Sequence, residues 1–427
     1  MKDRWSLRNV CPWTAPGFAC LLLIASPACA SAQAESMATT NAPTADDLDS
    51  FFRGGHMNLK LRSYYMDRDF KTFHIQESMA AGGWVDYESG WWHHLGLGFT
   101  PYTSQGMIFT SPQRDGAGLL APGQESYTVL GQAYLKGRVS QTQAKVYRQS
   151  LDTPFINPYD TKMTPVTVEA YTLESRDIAA LDLLGSHVTG IKPVNGTTFL
   201  SMTEAAGITN GSRDVTLAGA RFNPCDAVNL QVWNYYAYDF MNLVYAQYDG
   251  RWKATDLVSL TASLQALDQR SVGQALGGEF HTGMAGLMGG VECAGIALTL
   301  GGTLTDRDHD IVNPWGGYPG YTSIMENDCD LAGEKAWVLG LGYDFAGLGL
   351  KGLSAFMNHT EAWRPDQGSL TDPAQYETNL TTDYRFSGCL KNLCLRVRLA
   401  VVENSMEAVN MDFNDFRVIL NYDLSLL

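Results

Sequence analysis

The sequence lacks the long apolar runs from which transmembrane helices are built. Its most apolar segment, residues 18–24, is too short to span a bilayer, and the mean hydropathy of the 427-residue chain is −0.14. Acidic residues outnumber basic ones by 45 to 30, which gives a formal charge of −15. This balance excludes nucleic acid as the expected partner, because proteins bind phosphates with clustered cations. We assign the acidic surplus to solvated loops.

Motifs that indicate an enzyme or a metal centre are also missing. The chain has no GxSxG elbow, no HExxH pair, no CxxC pair and no phosphate-binding loop. Residues 306–310 (DRDHD) have the spacing of a calcium loop but lack its glycine and distal glutamate, so we interpret them as a solvated loop. His93 and His94 lie beside two tryptophans, as in an interfacial strand. We therefore expect no catalysis, no metal and no cofactor.

Cysteine is present in a number that argues against a disulfide framework. Three of the eight cysteines fall within the first 34 residues, which leaves the odd number five: Cys225, Cys293, Cys329, Cys389 and Cys394. The last two flank a tight turn and could form a disulfide across a hairpin. An exported protein would permit such a bond.

The beginning of the chain indicates export. Three basic residues, a short apolar segment and a run of small residues give residues 1–34 the layout of a cleavable signal peptide, with the cut predicted after Ala34. Residues 35–54 are polar and acidic without periodicity, and we interpret them as a flexible leader. The remaining residues, 55–427, form one domain in this interpretation.

That domain shows strand periodicity from end to end. Apolar and polar residues alternate over residues 258–266, 395–401 and 416–426, in segments of about the length that a tilted strand needs to cross a bilayer. The polar positions hold Ser, Thr, Gly, Gln, Asn and Arg, which suits a wet lumen. Aromatic residues cluster near the strand ends, as in membrane girdles.

The connections between strands alternate in length. Short turns are predicted at residues 140–143, 223–226, 292–295 and 387–392, and long loops at 112–126, 150–166, 305–332 and 358–376. Short turns at one end and long loops at the other are typical of outer-membrane β-barrels.

Several segments resemble the OprD family of outer-membrane porins, in family order and over nearly all of the domain. They are residues 61–69 (LRSYYMDRD), 86–90 (DYESG), 135–142 (LKGRVSQT), 333–337 (GEKAW), 377–380 (ETNL), 414–419 (NDFRVI) and 424–427 (LSLL). The resemblance implies an all-β fold: a single transmembrane antiparallel β-barrel of about 18 strands, whose third outer loop folds inward as a constriction loop.

The resemblance also implies a function. It indicates a channel in the outer membrane of a Gram-negative bacterium, surrounded by lipid and lipopolysaccharide, as a monomer or a loose trimer. Members of the family favour small anionic solutes, namely carboxylates that include amino acids and aromatic acids. A ladder of basic side chains guides these solutes past acidic loop groups.

Strand parity gives an independent test of that ladder. A cation that faces lipid in mid-membrane costs about 2–4 kcal/mol, so basic residues opposite apolar neighbours should face the lumen. Parity selects Arg62, Arg68, Lys136, Arg138, Arg396, Arg398 and Arg417. The resemblance adds Lys162, where the family has an arginine, and Asp330, which matches a loop aspartate. Asp383 departs from the family, which has a lysine there, and puts the carboxylate preference in question.

Three alternatives remain open at this stage. An enzyme has no motif in its favour. A soluble secreted β-sandwich that binds a partner would show the same alternation of residues, but with its apolar face buried between two sheets. An outer-membrane barrel that adheres without conducting would have the same strands and loops.

Overall fold

The computed structural model describes residues 48–71, 75–366, 370–406 and 411–427. Eighteen strands account for most of this part of the chain. They are β1 (His56–Phe70), β2 (Gln76–Glu88), β3 (Leu95–Gly106), β4 (Tyr127–Val139), β5 (Thr142–Gln149), β6 (Thr167–Ile178), β7 (Leu181–Lys192), β8 (Val215–Cys225), β9 (Val228–Ala237), β10 (Met241–Lys253), β11 (Val258–Ser271), β12 (His281–Cys293), β13 (Ile296–Thr305), β14 (Lys335–Asp344), β15 (Leu353–Trp363), β16 (Ala374–Arg385), β17 (Leu393–Asn404) and β18 (Phe413–Ser425).

The strands form one closed antiparallel sheet. Each strand pairs with its neighbours in sequence, and β1 closes the ring by pairing with both β2 and β18. This confirms the predicted barrel of about 18 strands. It excludes the β-sandwich, which needs two stacked sheets.

Residue parity divides each strand between two environments, as predicted. On β4 the side chains of Leu135 and Val139 are 67% and 76% exposed on the outer wall, whereas Lys136 and Arg138 point inward and are buried. On β13, Leu300 is 59% exposed and its neighbour Thr299 only 3%. The outer face is therefore the apolar one, which suits contact with lipid.

The two ends of the barrel differ in their connections. At one end, two-residue turns at 140–141, 179–180 and 294–295 join the strands, and Ala294 and Gly295 both have the positive φ (48° and 85°) of a type I′ turn. At the other end lie the long loops 107–126, 150–166, 193–214 and 306–334. The loop predicted at 358–376 is shorter, because β15 continues to Trp363 and β16 begins at Ala374.

Helix is a minor component. The α-helices are α1 (Leu48–Arg53) and α2 (Met202–Ala205), and short 3-10 helices occupy Pro112–Arg114, Phe345–Leu348 and Gly388–Leu390. Neither α-helix of the described chain has the length and apolar composition needed to cross a membrane.

Several predictions concern the N-terminus and the cysteines. The described part of the predicted leader contains α1, whose Phe51 is buried, while the signal peptide (1–34) and leader residues 35–47 lie outside the described residues. Cys389 is a free, exposed thiol. The hairpin disulfide with Cys394 is therefore not formed in this structure.

The constriction loop, residues 150–166, crosses the lumen. At one end, the ring of Phe155 packs 5.8 Å from that of Tyr235 on β9 and 5.7 Å from that of Tyr245 on β10. Further along, Asp160 forms an ion pair with Arg62 on β1. Because β1 and β10 lie half-way round the ring from each other, the loop bridges opposite walls. This confirms the predicted inward-folded loop.

Loop packing fills one side of the lumen. Apolar residues of the constriction loop, of loop 193–214 and of loop 306–334 form a buried cluster with the inner faces of strands between β6 and β12. Its members from these loops are Leu151, Phe155, Ile156, Val166, Met202, Ile208, Ile311, Trp315 and Tyr318. The sequence analysis predicted only the third loop to turn inward, so the other two inward loops are additional. In a second buried cluster, Ala117, Leu119 and Leu120 of loop 107–126 pack against the inner face of β1.

Candidate functional site

Arg62 anchors the constriction loop to the wall. Its guanidinium donates to both carboxylate oxygens of Asp160 at 2.6 and 2.9 Å, to the side chain of Asn421 at 2.8 Å and to the carbonyl of Lys162 at 2.5 Å. Burial alone would raise the pKa of Asp160, but the charge and hydrogen bonds of Arg62, together with the charges of Lys60 and Arg396, hold that pKa below its ordinary value. The pair is ionised, and the Nε, Nη1 and Nη2 atoms of Arg62 all donate hydrogen bonds. Arg62 is therefore a structural anchor in this geometry.

Two arginines further along the wall share two carboxylates. Arg68 on β1 donates to Asp415 at 3.1 Å, and Arg417 on β18 donates to the same carboxylate at 2.6 and 3.1 Å. Both arginines also form an ion pair with Glu326 of loop 306–334. Antiparallel pairing explains the meeting, because Arg68 and Asp415 are register partners across β1 and β18.

Arg398 is different because no carboxylate neutralises it directly. It faces Thr381 of β16 on one side, whose hydroxyl accepts its Nε–H at 3.2 Å, and Arg417 of β18 on the other. Within residues 48–71, 75–366, 370–406 and 411–427, no acidic group lies within ion-pair distance of Arg398. Its positive charge is thus offset at longer range, by the carboxylates of Asp415 and Glu377.

Lys162 brings a second cation without a carboxylate partner, from the constriction loop. Its ammonium lies 3.4 Å from the sulfur of Met66, and in the part of the chain that the structure describes it makes no ion pair. Burial, and then the charges of Arg417 and Arg68, lower the pKa of Lys162 well below its ordinary 10.5. Its ammonium therefore lies within electrostatic reach of the wall arginines.

These groups form a mixed cluster with a positive surplus. We name it the central cluster, and it contains four cations and two carboxylates: Arg68, Arg398, Arg417, Lys162, Asp415 and Glu326. Fixed unit charges interact by about 4 kcal/mol at 4 Å when the effective dielectric constant is 20. A surplus of cations at one place can thus replace part of the hydration that an anion loses there.

Arg396 is neutralised by the residue that departs from the family. Its Nε and Nη2 donate to the two oxygens of Asp383 at 2.7 Å each, and the two residues are register partners across β16 and β17. Asp383 is 1% exposed. This bidentate pair removes one predicted cation from the free charge of the lumen.

Lys136 and Arg138 lie apart from the central cluster, near the short-turn end of β4. The ammonium of Lys136 donates to Glu88 at 2.7 Å and to the carbonyl of Ser89 at 3.0 Å. Lys136 and Arg138 also lie 4.2 and 4.4 Å from the ring centroid of Trp91. The structure therefore places these two cations near the short-turn end, apart from the central cluster.

Asp330 belongs to loop 306–334 but contacts none of these cations. Burial, and then the nearby carboxylates of Asp328, Glu334 and Asp310, raise its pKa to about 8. Its backbone carbonyl accepts the N–H of Ile311. Asp330 thus lies on a long loop, and the groups around its carboxyl are acidic.

Four carboxylates that organise the site are not among the residues predicted from the sequence: Asp160, Glu326, Glu377 and Asp415. The Glu377 carboxylate accepts three consecutive backbone N–H groups of loop 306–334, from Met325, Glu326 and Asn327, at 3.1, 3.1 and 2.7 Å. Asp415 and Glu377 share lumen parity with Arg417 and Asp383, so parity could have found those two. The loop residues have no such signal.

Comparison with known proteins agrees with this architecture. A family model described as "outer membrane porin, OprD family" matches residues 49–426. The chain is 24% identical to Porin D of Pseudomonas aeruginosa over 436 residues, which covers 93% of this chain and 97% of that protein. It is similar to the crystal structure of Pseudomonas aeruginosa OccK9, with a TM-score of 0.80 and 26% identity over 88% of this chain and 100% of the other. The structure of Pseudomonas aeruginosa OpdK with vanillate has the same TM-score, with 22% identity over the same shares.

Proposed function

The chain belongs to the OprD family of outer-membrane porins, and on that premise we propose that it admits small carboxylates along the central cluster. As a member of this family it is a channel for small solutes in the Gram-negative outer membrane, and its fold and family point to transport rather than to catalysis. The carboxylate preference is the proposed part.

One observation carries the proposal: among the residues that the structure describes, Arg398 and Lys162 form no ion pair with a carboxylate, beside a cluster whose other charges are paired. Arginine keeps its charge at any physiological pH and offers a planar fork that matches a carboxylate. A channel also needs binding weak enough for release, and a single free guanidinium with one lysine meets that need better than a continuous row of unpaired cations.

Reversal potentials in planar bilayers under a KCl gradient test the proposal. We expect the wild-type channel to prefer anions, and the double variant Arg398→Gln with Lys162→Met to lose several-fold in its anion-to-cation permeability ratio. Arg270→Gln is the matched control, because Arg270 is an exposed arginine at the end of β11 that pairs with Asp268. A cation-preferring wild-type channel would overturn the proposal, and so would an unchanged ratio in the double variant.

Zwitterionic amino acids are a second candidate class. The pairs Arg62–Asp160 and Arg396–Asp383 place fixed charges of both signs along the same wall. Liposome swelling separates the two classes when glycine, acetate and a neutral sugar are compared at equal osmolarity. Faster entry of acetate supports the first class, and faster entry of glycine the second.

A further inference from the structure

The carboxylate of Glu326 lies where two arginines of the channel wall converge. Within loop 306–334, which the structure describes throughout, Glu326 is the acid that forms ion pairs, and its partners are Arg68 and Arg417. Its side chain is 11% exposed, and those of the arginines are 16% and 2% exposed. A carboxylate of the loop thus occupies two guanidinium groups of the wall.

The backbone of the loop holds Glu326 in this position. Three successive N–H groups, from Met325 to Asn327, converge on the carboxylate of Glu377 on β16. Charge-assisted hydrogen bonds of this kind are stronger than neutral ones. The side chain of Glu326 is therefore directed toward β1 and β18 by the docked backbone.

We propose that Glu326 is a tethered competitor that sets the specificity of the channel, an inference that rests on the proposed carboxylate transport. A solute carboxylate reaches Arg68 and Arg417 by displacing the Glu326 carboxylate, and Glu326 returns when the solute leaves. Arg68 and Arg417 thus keep a carboxylate partner during the exchange, and the returning Glu326 carboxylate favours release of the solute.

Charge and reach can be separated by substitution at this one position. Glu326→Gln removes the charge, whereas Glu326→Asp keeps the charge on a side chain shorter by one methylene, which cannot serve both guanidinium groups equally. Asp308→Asn is the matched control, because Asp308 is an exposed acid of the same loop without an ion pair among the described residues. Glu377→Gln is a second route, since it weakens the docking of the loop and leaves Glu326 unchanged.

The probe is vanillate, a small aromatic carboxylate, titrated into single-channel recordings in KCl. We expect its dissociation constant to fall several-fold and its residence time to lengthen in Glu326→Gln, Glu326→Asp and Glu377→Gln, with no change in Asp308→Asn. A difference in electrophoretic mobility between heated and unheated samples confirms that each variant is folded.

Two outcomes overturn the inference. One is an unchanged or weaker vanillate affinity in folded Glu326→Gln. The other is a combined result, in which Glu326→Asp behaves like the wild type and Asp308→Asn changes the vanillate affinity as much as Glu326→Gln does. That result would show that the negative charge of the loop as a whole, and not the position of Glu326, governs the affinity. The proposed function is judged separately, by the reversal potential of the wild-type channel.

Discussion

Arg398 and Arg417 are register partners on the neighbouring strands β17 and β18, and both side chains face the lumen. Like charges directly opposite each other destabilise a strand pair. Asp415 and Glu326 compensate Arg417, whereas the partner of the Arg398 guanidinium among the described residues is the hydroxyl of Thr381. Two residues earlier on β17, Arg396 has its opposite charge, Asp383, directly across from it. One strand therefore carries a structural arginine and an arginine that costs stability.

This contrast predicts opposite effects on stability. Arg396→Gln leaves the buried Asp383 without its bidentate donor, so we expect the free energy of unfolding to fall by about 1.5–3 kcal/mol. Arg398→Gln removes a like-charge contact, so we expect no loss, or a gain of roughly 0.2–1 kcal/mol. Urea unfolding in lipid vesicles, followed by tryptophan fluorescence, measures both. Equal destabilisation by the two substitutions would contradict the assignment.

The barrel and the lumen-facing residues of its wall could both be predicted from the sequence, because both follow from the same physical cause on every strand. A lipid-facing position excludes charge on every strand, so parity alone predicted that Arg396, Arg398 and Arg417 turn inward. Asp383 shares the parity of Asn379 and Thr381, and all three side chains are buried on the lumen side. The alternation of apolar and polar residues does not give the strand register, which determines which residues of neighbouring strands lie opposite each other.

The loops were the harder part, because their contacts join residues far apart in the chain. Glu326 lies 258 residues from Arg68, and Asp160 lies 98 residues from Arg62. The acidic stretch at 306–310 led to the interpretation of a solvated loop, although Trp315 and Tyr318 follow it closely and are buried. Large aromatic residues in a long loop were the available signal that it packs inward.

The ammonium of Lys162 predicts a pH-dependent selectivity. Burial and then the charges of Arg417 and Arg68 lower its pKa, with Asp415 acting against them and Arg398 adding to them. A cation with a lowered pKa loses its charge earlier as the pH rises, so anion preference should decline at a pH well below 10.5. Reversal potentials across a pH series measure this. Lys162→Arg, which stays charged, should abolish the decline, and a decline that persists in this variant would assign it to another group.

Asp330 predicts a second and separable effect of pH, on the loop rather than on selectivity. Burial, and then Asp328, Glu334 and Asp310, raise its pKa to about 8 from an ordinary 3.8. The folded loop thus favours the neutral acid, and its stability is full below the ordinary pKa and declines as the pH rises to about 8.

We therefore expect current noise from loop 306–334 to increase as the pH rises toward 8 and then to level off. In Asp330→Asn the side chain stays neutral, so this increase should be smaller. Single-channel noise at fixed voltage is the measurement. A noise level independent of pH in the wild-type channel would show that the loop does not respond to this ionisation.

The apolar outer wall predicts a depth-dependent penalty for charge. Leu300 lies near the middle of β13 and is 59% exposed, and Leu304 has the same exposure near the end of the same strand. Leu300→Arg should lower the free energy of unfolding by about 2–4 kcal/mol, because its cation faces the centre of the bilayer, and Leu304→Arg by about 0–1 kcal/mol, because its cation can reach the headgroups. Urea titration in vesicles compares the two. Equal penalties in vesicles would mean that Leu300 and Leu304 do not meet lipid at different depths. Equal penalties in detergent would not contradict the prediction, because a detergent belt lacks the fixed thickness of a bilayer.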